Sequence, residues 1–418
     1  MNEEFLHYIW KYRLAYNPEY DHIEVIHPGF HNSDAGPDFF NARIKIDGTT
    51  WVGNVEIHIL SSDWNRHGHQ HDKAYNNVIL HLVYMHDEEI YNSRGETIPV
   101  MELKGRFDEN IYNRYRYMIS NKDRIPCGKM IGGIDLKKNS LWLDRMMTER
   151  LEKKSAAIQQ LFEKNGNNSE ETFYQIMARS FGSRVNALPF ELMAKSLPLK
   201  YLAKHKSSLL QIESLVFGQA GMLDRDFSDE YPLQLKHEFT YLQKKFDLQP
   251  VDCVIWKFLR LRPFNFPTIR LAQFAMLVYY SSALLSKLLN SDEPQTVYDL
   301  LSVSASGYWD EHFVFDKRAK KSVKRLSNEM VNLIIINAVV PFLFVYGKQQ
   351  AKPEISERAL TLLEKTEAEK NTVTDYWNEL GIPADNAYIT QALLELKTSY
   401  CDLKKCLSCS IGNMILSS

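Results

Sequence analysis

Up to about residue 105, hydrophobic and polar residues alternate in short runs separated by turn signals. This pattern predicts five strands: HIEVIHPGF (22–30), FFNARIKI (39–46), WVGNVEIHI (51–59), VILHLVYM (78–85) and IPVMEL (98–103). Asp47-Gly48 predicts a tight hairpin between the second and third strands, because both residue types tolerate positive φ. An amphipathic helix at the N-terminus and a short helix over residues 69–76 are expected beside the strands. These elements indicate a small mixed sheet with flanking helices.

From about residue 107 the apolar residues recur three and four positions apart, which is typical of amphipathic helices. After a helix ending near Asn165-Gly166, further helices are predicted at 170–181, 186–196, 198–204, 207–217, 230–245, 267–289, 294–301, 321–345, 355–367, 371–380 and 386–399. The glycine-rich GKMIGGID is suited to a linker. We therefore expect an α+β N-terminal domain over 1–127, a linker over 128–135 and a large all-α domain over 136–418.

Composition and charge narrow the function classes only slightly. The chain has 418 residues, of which 44% are hydrophobic, so more than one domain is expected. A net charge of -2 means that any nucleic-acid site must be a local patch. The N-terminus lacks the pattern of a signal peptide, and proline or polar residues interrupt the most apolar segments. A cytoplasmic protein without a membrane partner is expected, and its oligomeric state is left open.

The second and third strands carry two acids at matched positions. Side chains alternate across a strand, so Glu56 and His58 point to the same face. Asp38 lies where the second strand begins, nine residues before Asp47, and Glu56 lies nine residues after it. The hairpin should therefore bring the two carboxylates together.

Neighbouring carboxylates must be neutralised by a proton, a basic group or a cation. Mg²⁺ or Mn²⁺ would suit Asp38 and Glu56, with His58 as the general base beside an activated water. The alternative is structural: Asp38 caps a turn, and Glu56 pairs with Arg43 or Lys45 on the adjacent strand.

Pro37-Asp38 opening one strand and Glu56-Ile57-His58 on the next resemble the core of the PD-(D/E)xK nuclease-like superfamily. The resemblance implies a restriction-endonuclease-like fold in which Asp38 and Glu56 bind Mg²⁺. It also implies an acid on the first helix, Glu3 or Glu4, with Glu4 taken as the further metal candidate. The sequence departs from the superfamily pattern at His58, where a lysine is normal. A histidine supplies less fixed positive charge near pH 7.

The whole chain also resembles an uncharacterised bacterial family known only as a domain of unknown function. The resemblance rests on the GPDF, VEIH and HxHxxD-like segments and on a cysteine-bearing C-terminus. It implies no particular activity.

The segment RHGHQHDKAYNNVILH contains four histidines, which are His67, His69, His71 and His81. On a helix packed beside the third strand, His71, Asp72 and Tyr75 would point toward Glu56, so these three are further catalytic candidates. No spacing here matches a zinc motif such as HExxH. The alternative is a solvated segment in which these residues cap a helix.

Three cysteines, Cys401, Cys406 and Cys409, lie close together near the C-terminus. Thiolates usually hold Zn²⁺ or an iron–sulfur cluster four at a time, so Cys127 or Cys253 would have to join them. With Cys127, the metal would tie the C-terminal segment to the end of the first domain. The alternative is a set of small thiols buried in a core.

Basic and aromatic residues are interleaved over 256–274, as is typical of nucleic-acid binding. The candidate phosphate contacts are Lys257, Arg260, Arg262 and Arg270. The alternative is a helical core whose arginines pair with acids.

Together these features favour a Mg²⁺-dependent nuclease-like protein that acts on or binds nucleic-acid phosphodiesters. A catalytically inactive nuclease-fold binding or scaffold protein is one alternative. A metal-dependent hydrolase of another substrate, built on His67, His71 and Asp72, is a second. The sequence contains no glycine-rich phosphate loop, dinucleotide fingerprint or nucleophile elbow, which argues against nucleotide-cofactor and serine-hydrolase chemistry.

Overall fold

The computed structural model describes residues 1–15, 23–132, 140–281, 283–291 and 293–418. The chain forms two compact units. The sheet unit comprises Met1–Asn139 and Lys397–Ser418, and the helical unit comprises Ser140–Leu396. The C-terminal segment therefore groups with the N-terminal residues, whereas the sequence-based division had assigned it to the helical domain. Residues 133–135 of the predicted linker lie outside the described residues.

The elements follow the chain in two groups. The sheet unit contains α1 (Glu3–Lys11), β1 (Ile23–His27), β2 (Phe30–His31), β3 (Phe39–Ile46), β4 (Thr49–Leu60), α2 (Asp63–Arg66), β5 (Val78–Met85), β6 (Val100–Glu102) and α3 (Glu109–Ser120). The helical unit contains α4 (Ser140–Lys164), α5 (Ser169–Phe181), α6 (Ser183–Ser196), α7 (Leu199–Lys204), α8 (Leu209–Gln219), α9 (Glu230–Phe246), α10 (Pro267–Tyr280), α11 (Leu284–Leu289), α12 (Pro294–Leu301), β7 (His312–Val314), β8 (Lys317–Arg318), α13 (Asn328–Ile334), α14 (Val340–Gln349), α15 (Pro353–Lys365), α16 (Thr372–Glu379) and α17 (Ala387–Leu396). A last helix, α18 (Ser410–Ser417), belongs to the sheet unit.

The sheet is mixed, as the sequence predicts. Its strand order is β1-β3-β4-β5-β6, with β2 also paired to β3. β1, β3 and β4 are antiparallel neighbours, whereas β4, β5 and β6 run parallel. All five predicted strand segments contain strands, and the first divides into β1 and β2. Alternate side chains of the central strands, such as Val55, Ile57, Leu80 and Leu82, form the core beneath the sheet.

The helix predicted over residues 69–76 is wrong. The segment after β4 instead forms the four-residue α2 and then two short 3₁₀ turns, His69–His71 and Lys73–Tyr75. Gly68 lies between α2 and the first 3₁₀ turn, and its φ of +79° is a left-handed conformation that interrupts a right-handed helix. Trp64 anchors the segment, because its ring is fully buried and its Nε1 donates to the Tyr91 carbonyl at 3.0 Å.

Hydrogen bonds hold the C-terminal segment against the first and third helices of the sheet unit. Arg114 Nη1 donates to the carbonyls of Ile415 and Leu416 at 3.3 and 3.4 Å, at the open end of α18. Lys404 Nζ donates to the Met118 carbonyl at 3.4 Å. Asn413 Nδ2 donates to Tyr12 Oη at 2.9 Å.

The region after the sheet is largely helical, as predicted. The helix predicted over 267–289 divides into α10 and α11, with Ala283 at a φ of +54° just before α11. The helix predicted over 321–345 begins only at Asn328, and β7 and β8 form a small hairpin that the sequence pattern did not predict. One helical run, Asn328–Gln349, is long and apolar enough to cross a bilayer, but 83% of its most apolar stretch is buried in the protein.

A buried carboxyl lies on α8 in the helical unit. Glu213 is 2% exposed, and Ser306 Oγ donates to its Oε1 at 2.6 Å. Burial raises the pKa of Glu213 from 4.5 to about 7. The native state therefore binds this proton more tightly than the unfolded chain does.

This shift predicts that the free energy of unfolding falls as pH rises from about 4.5 to about 7, by up to about 3 kcal/mol. Glu213→Gln should remove that slope, because a glutamine has no proton to lose. Urea unfolding followed by circular dichroism at about pH 5 and about pH 8 measures the difference. Exposed Glu379→Gln is the control and should keep the wild-type slope. Parallel pH profiles for wild type and Glu213→Gln would contradict the prediction.

Candidate functional site

A β-bulge in β3 sets the face on which Asp38 lies. The strand pairs are Ile46–Thr49 and Ala42–Gly53 on the turn side, and Phe39–Val55 beyond the shift. The residues between include Asn41, which has a left-handed φ of +55°. Without the extra residue, Asp38 would lie opposite Ile57, and its side chain would point away from Glu56. The bulge instead places Asp38 opposite Glu56 on the same face.

Two hydrogen bonds hold the paired acids, and each runs from a backbone N–H to the opposite carboxylate. The Asp38 N–H donates to Glu56 Oε2 at 3.1 Å, and the Ile57 N–H donates to Asp38 Oδ2 at 2.9 Å. Glu56 is 5% exposed, whereas the Asp38 side chain is 25% exposed. The expectation that the two acids are neighbours is confirmed. Other contacts of Glu56 are made with histidines rather than with Arg43 or Lys45.

Two histidines lie beside the other oxygen of Glu56, and a third lies beside one of them. His58 Nε2 lies 3.5 Å and His69 Nε2 lies 3.3 Å from Glu56 Oε1. His67 Nδ1 lies 3.1 Å from His58 Nε2. One ligand nitrogen from each of the three histidines falls within 4.8 Å of the other two. Glu56 therefore meets Asp38 through one oxygen and a group of imidazoles through the other.

His81 supports this group from β5. The parallel register pairs Glu56 with His81, and His58 Nδ1 lies 2.8 Å from His81 Nε2. Burial, with the neighbouring His69 and His67, lowers the pKa of His58 to about 4. Burial also lowers the pKa of His81 well below its usual value. Both rings are neutral near pH 7, so His58 does not provide the fixed charge of a lysine.

Burial shifts the pKa of the acid Glu56 in the direction opposite to that of the imidazoles. Burial raises the pKa of Glu56, and the charge of Asp38 adds to this effect, whereas hydrogen bonding to His69 opposes it. The raised pKa means that a negative charge on Glu56 is costly without a cation nearby. A bound metal ion would relieve this cost.

The first helix contributes Glu3 and His7, which are one turn apart. His7 Nε2 lies 3.4 Å from Asp38 Oδ2. Burial and the charge of Asp38 raise the pKa of Glu3. Glu4, the predicted helical ligand, is exposed and interacts electrostatically with Tyr115 instead. Glu3 is therefore the helical acid on the side of Asp38.

Of the other predicted catalytic residues, the structure brings only Tyr75 to the site. Its ring stacks on His69 at 3.8 Å between centroids, and burial with the charges of Glu56 and Asp38 raises its pKa to about 12. Asp72 Oδ1 accepts a hydrogen bond from the Ala74 N–H at 2.9 Å and so caps a 3₁₀ turn. His71 is exposed.

Sequence reasoning did not select His7, His69 or His81 for this centre, and it named Glu3 and His67 only within alternatives. The signal for His81 was a polar ring within the apolar run VILHLVYM. The signal for His67 and His69 was the intervening Gly68, which predicts a break rather than a continuous helix. Helical spacing therefore selected His71 in place of its neighbours.

The four cysteines predicted as a cluster all belong to the sheet unit. Cys127, Cys401, Cys406 and Cys409 are buried, whereas Cys253 is exposed. Burial raises the pKa of Cys127 to about 12, and Cys409 and Cys406 add to the shift. Burial likewise raises the pKa of Cys401, with Cys127 the next contributor. The four thiols are thus near enough to interact electrostatically.

The predicted nucleic-acid contacts separate into two groups. Lys257, Arg260 and Arg262 are exposed in the loop before α10. Arg270 is 7% exposed, and its guanidinium donates to Gln273 Oε1 at 2.9 Å and to Asn265 Oδ1 at 2.7 Å. Burial lowers the pKa of Arg270 to about 10. Arg270 therefore fastens the loop instead of presenting a charge at the surface.

The fold and the site define a protein with a mixed N-terminal sheet, a carboxylate–imidazole centre on that sheet, and a largely helical region after it. The chain belongs to the family described as Protein of unknown function (DUF2851), whose family model matches residues 3–372. The matched residues include Asp38, Glu56 and the surrounding histidines and end before Cys401. No curated protein and no solved structure matches the chain.

The bulge generates a stability prediction at Asn41. Asn41→Ala should lower the free energy of unfolding by about 1 kcal/mol, because alanine resists the left-handed conformation. Asn41→Gly should be at least as stable as Asn41→Ala. Exposed Arg43 on the same strand is the control, where alanine should be more stable than glycine. Urea unfolding compares the four variants, and the same order at both positions would contradict the assigned bulge.

The cysteine burial predicts selective thiol labelling. In native protein, an aromatic disulfide reagent should modify Cys253 quickly, since it is the one exposed cysteine among the described residues. The other four should react only after denaturation. Cys253→Ser should abolish the fast phase. A fast phase that persists in this variant would show that the buried group opens readily.

Proposed function

We propose that the protein is a metal-dependent phosphodiesterase that acts on nucleic acid, with Asp38 and Glu56 as ligands of Mg²⁺ or Mn²⁺. The observation that carries the proposal is the reciprocal pair of hydrogen bonds, which fixes both carboxylates on one face of the sheet. The donor set suits a hard cation, because the described contacts leave Asp38 Oδ1 available. The element order adds support, since α1 precedes a mixed sheet whose β3 and β4 carry the acids, as the resemblance to the PD-(D/E)xK superfamily implies.

Each residue has a distinct part in the proposed reaction. A bound metal would supply Lewis acidity, which activates water and offsets charge on the phosphoryl group. Asp38 and Glu56 hold it, and Glu3 contributes negative charge from α1. His58, kept neutral by burial, accepts the proton of the attacking water or orients it. Tyr75 retains its proton and so acts only as a donor.

Exposed cations in the helical unit are the proposed nucleic-acid contacts. Lys257, Arg260 and Arg262 provide three charges on a short loop, together with exposed Phe264. Phosphates would meet the charges, and an unpaired base would stack on the ring. The protein is proposed to act in the cytoplasm, where nucleic acid is abundant.

One observation favours a second candidate, a metal-dependent hydrolase of a different substrate. Glu56 Oε1 faces His58 and His69, and imidazole-rich centres are common in enzymes that hydrolyse other bonds. An inactive scaffold is less well supported, because the basic partners Arg43 and Lys45 do not neutralise Glu56. Cleavage of DNA or RNA in the activity assay would favour the nucleic-acid phosphodiesterase over the hydrolase of a different substrate.

A further cofactor is proposed at Cys127, Cys401, Cys406 and Cys409. Four buried thiols drawn from distant parts of the chain suit Zn²⁺ or an iron–sulfur cluster. Such a centre would fasten the C-terminal segment to the sheet unit. Metal analysis and the visible spectrum of anaerobically purified protein identify it.

The activity test uses full-length protein with single- and double-stranded DNA and RNA in Mg²⁺ or Mn²⁺. Asp38→Asn and Glu56→Gln should each lower the cleavage rate by more than about 100-fold. The loss of a residue that only hydrogen-bonds to a metal ligand already lowers metal affinity or activity by about 10–100-fold. Glu3→Gln should lower the rate more than Glu4→Gln, because Glu3 is the acid that interacts with Asp38.

Glu24→Gln is the matched control, because it exchanges an exposed acid on β1 of the same sheet. It should cleave as wild type does, and circular dichroism should show that all variants fold. Cleavage that survives in Asp38→Asn and Glu56→Gln would assign the activity to a contaminant. Folded wild type that cleaves none of the four substrates would refute the nucleic-acid proposal.

A further inference from the structure

The histidine group has a geometry that the proposed Mg²⁺ site does not explain. Magnesium prefers oxygen ligands, yet three imidazoles converge beside Glu56. His67 is exposed and His69 is partly exposed, so the group is open to ions from solvent. The residues next to the carboxylate pair therefore suit a metal ion that prefers nitrogen ligands.

Three of the six separations between the donor atoms are close to the edges of a tetrahedral site. With metal–nitrogen distances of about 2.0–2.1 Å, the edges of a tetrahedron measure about 3.3–3.4 Å. The observed separations are 3.5 Å for His58 Nε2 to Glu56 Oε1, 3.3 Å for His69 Nε2 to Glu56 Oε1, and 3.1 Å for His67 Nδ1 to His58 Nε2. The three ring nitrogens lie within 4.8 Å of one another and Glu56 Oε1 lies beside two of them, so the four groups can surround a single small ion once the rings close on it.

The surroundings orient these donors. His81 Nε2 accepts from His58 Nδ1 when that nitrogen carries the proton, and this tautomer leaves the lone pair of His58 Nε2 free for a metal. Tyr75 stacks on His69, and Trp64 packs edge-on against the same ring. Buried neighbours of this kind fix the ring orientation of metal-binding histidines.

We propose that His58, His67, His69 and Glu56 bind one borderline transition-metal ion, of which Zn²⁺ is the representative, in a four-coordinate site. Imidazole donors favour such an ion over Mg²⁺. The inference goes beyond the proposed function, because the ion binds here whether or not the protein cleaves nucleic acid; while it is bound, His58 Nε2 is a ligand and does not serve as the base. Glu56 links the two sites, since its Oε2 meets the Asp38 N–H and its Oε1 faces the histidines.

The test measures metal binding by the full chain without substrate. Chelator-treated protein is titrated with Zn²⁺ and, in parallel, with Co²⁺, whose visible spectrum reports four-coordinate geometry. His67→Ala and His69→Ala should each weaken binding at this site by more than about 100-fold, because each removes a ligand. Neither side chain is fully buried, so both variants should fold. The control His237→Ala changes an exposed histidine of α9 and should bind as wild type does.

X-ray absorption separates this site from the cysteines. Zinc on the histidine group gives nitrogen and oxygen neighbours at about 2.0–2.1 Å, whereas zinc on thiolates gives sulfur at about 2.3 Å. Nitrogen and oxygen ligation that disappears in His67→Ala and His69→Ala supports the proposal. Sulfur ligation alone overturns it, and so does equal zinc binding by wild type, His67→Ala and His69→Ala. Absence of nuclease activity with intact zinc binding would refute only the proposed function.

Discussion

The candidate site depends on the reciprocal hydrogen bonds between the Asp38 and Glu56 positions. Each carboxylate accepts a backbone N–H from the opposing strand, at 3.1 and 2.9 Å. These bonds form because the bulge at Asn41 places Asp38 opposite Glu56, whereas a regular ladder would place it opposite Ile57. They hold two like charges on one face of the sheet, so a cation becomes the natural partner of the pair.

The remainder of the centre follows from burial around that pair. Burial makes His58 and His81 neutral and raises the pKa of Glu56, so the imidazoles and the acid do not neutralise one another fully. Trp64 fixes the segment that carries His67 and His69, because its ring is fully buried. The sheet thus supplies acids, and the segment between β4 and β5 supplies ring nitrogens. The catalysis proposed for the first set and the ion binding proposed for the second are separable consequences of one arrangement.

Sequence periodicity predicted the elements well where a single face is buried. The five strand segments and the Asp47-Gly48 turn follow from alternation and turn chemistry. The adjacency of the two acids does not follow from the equal count of nine residues on either side of Asp47, because the turn is centred between Asp47 and Gly48 and a regular ladder would set Asp38 opposite Ile57. The bulge supplies the missing residue. A bulge formed by Asn41 leaves almost no trace in a pattern of apolar and polar positions.

Other residues could not be placed because the deciding contacts are not local in sequence. Glu3 and Glu4 differ by one position, yet only packing of α1 decides which acid lies on the side of Asp38. The sequence pattern predicts Arg270 as a surface cation, whereas in the fold its guanidinium is buried and donates to Gln273 and Asn265. The sequence leaves Cys127 and Cys253 open as the fourth thiol, and the fold favours Cys127, because it is buried in the same unit as the other three whereas Cys253 is exposed.

The most direct test of the central claim is a double-mutant cycle on Mn²⁺ affinity, measured by electron paramagnetic resonance. Two carboxylates that share one cation should be strongly coupled. Asp38→Asn and Glu56→Gln should each remove most of the affinity, and combining them should cost little more. Independent, additive losses, or single variants that bind Mn²⁺ as wild type does, would show that the two acids do not form one site.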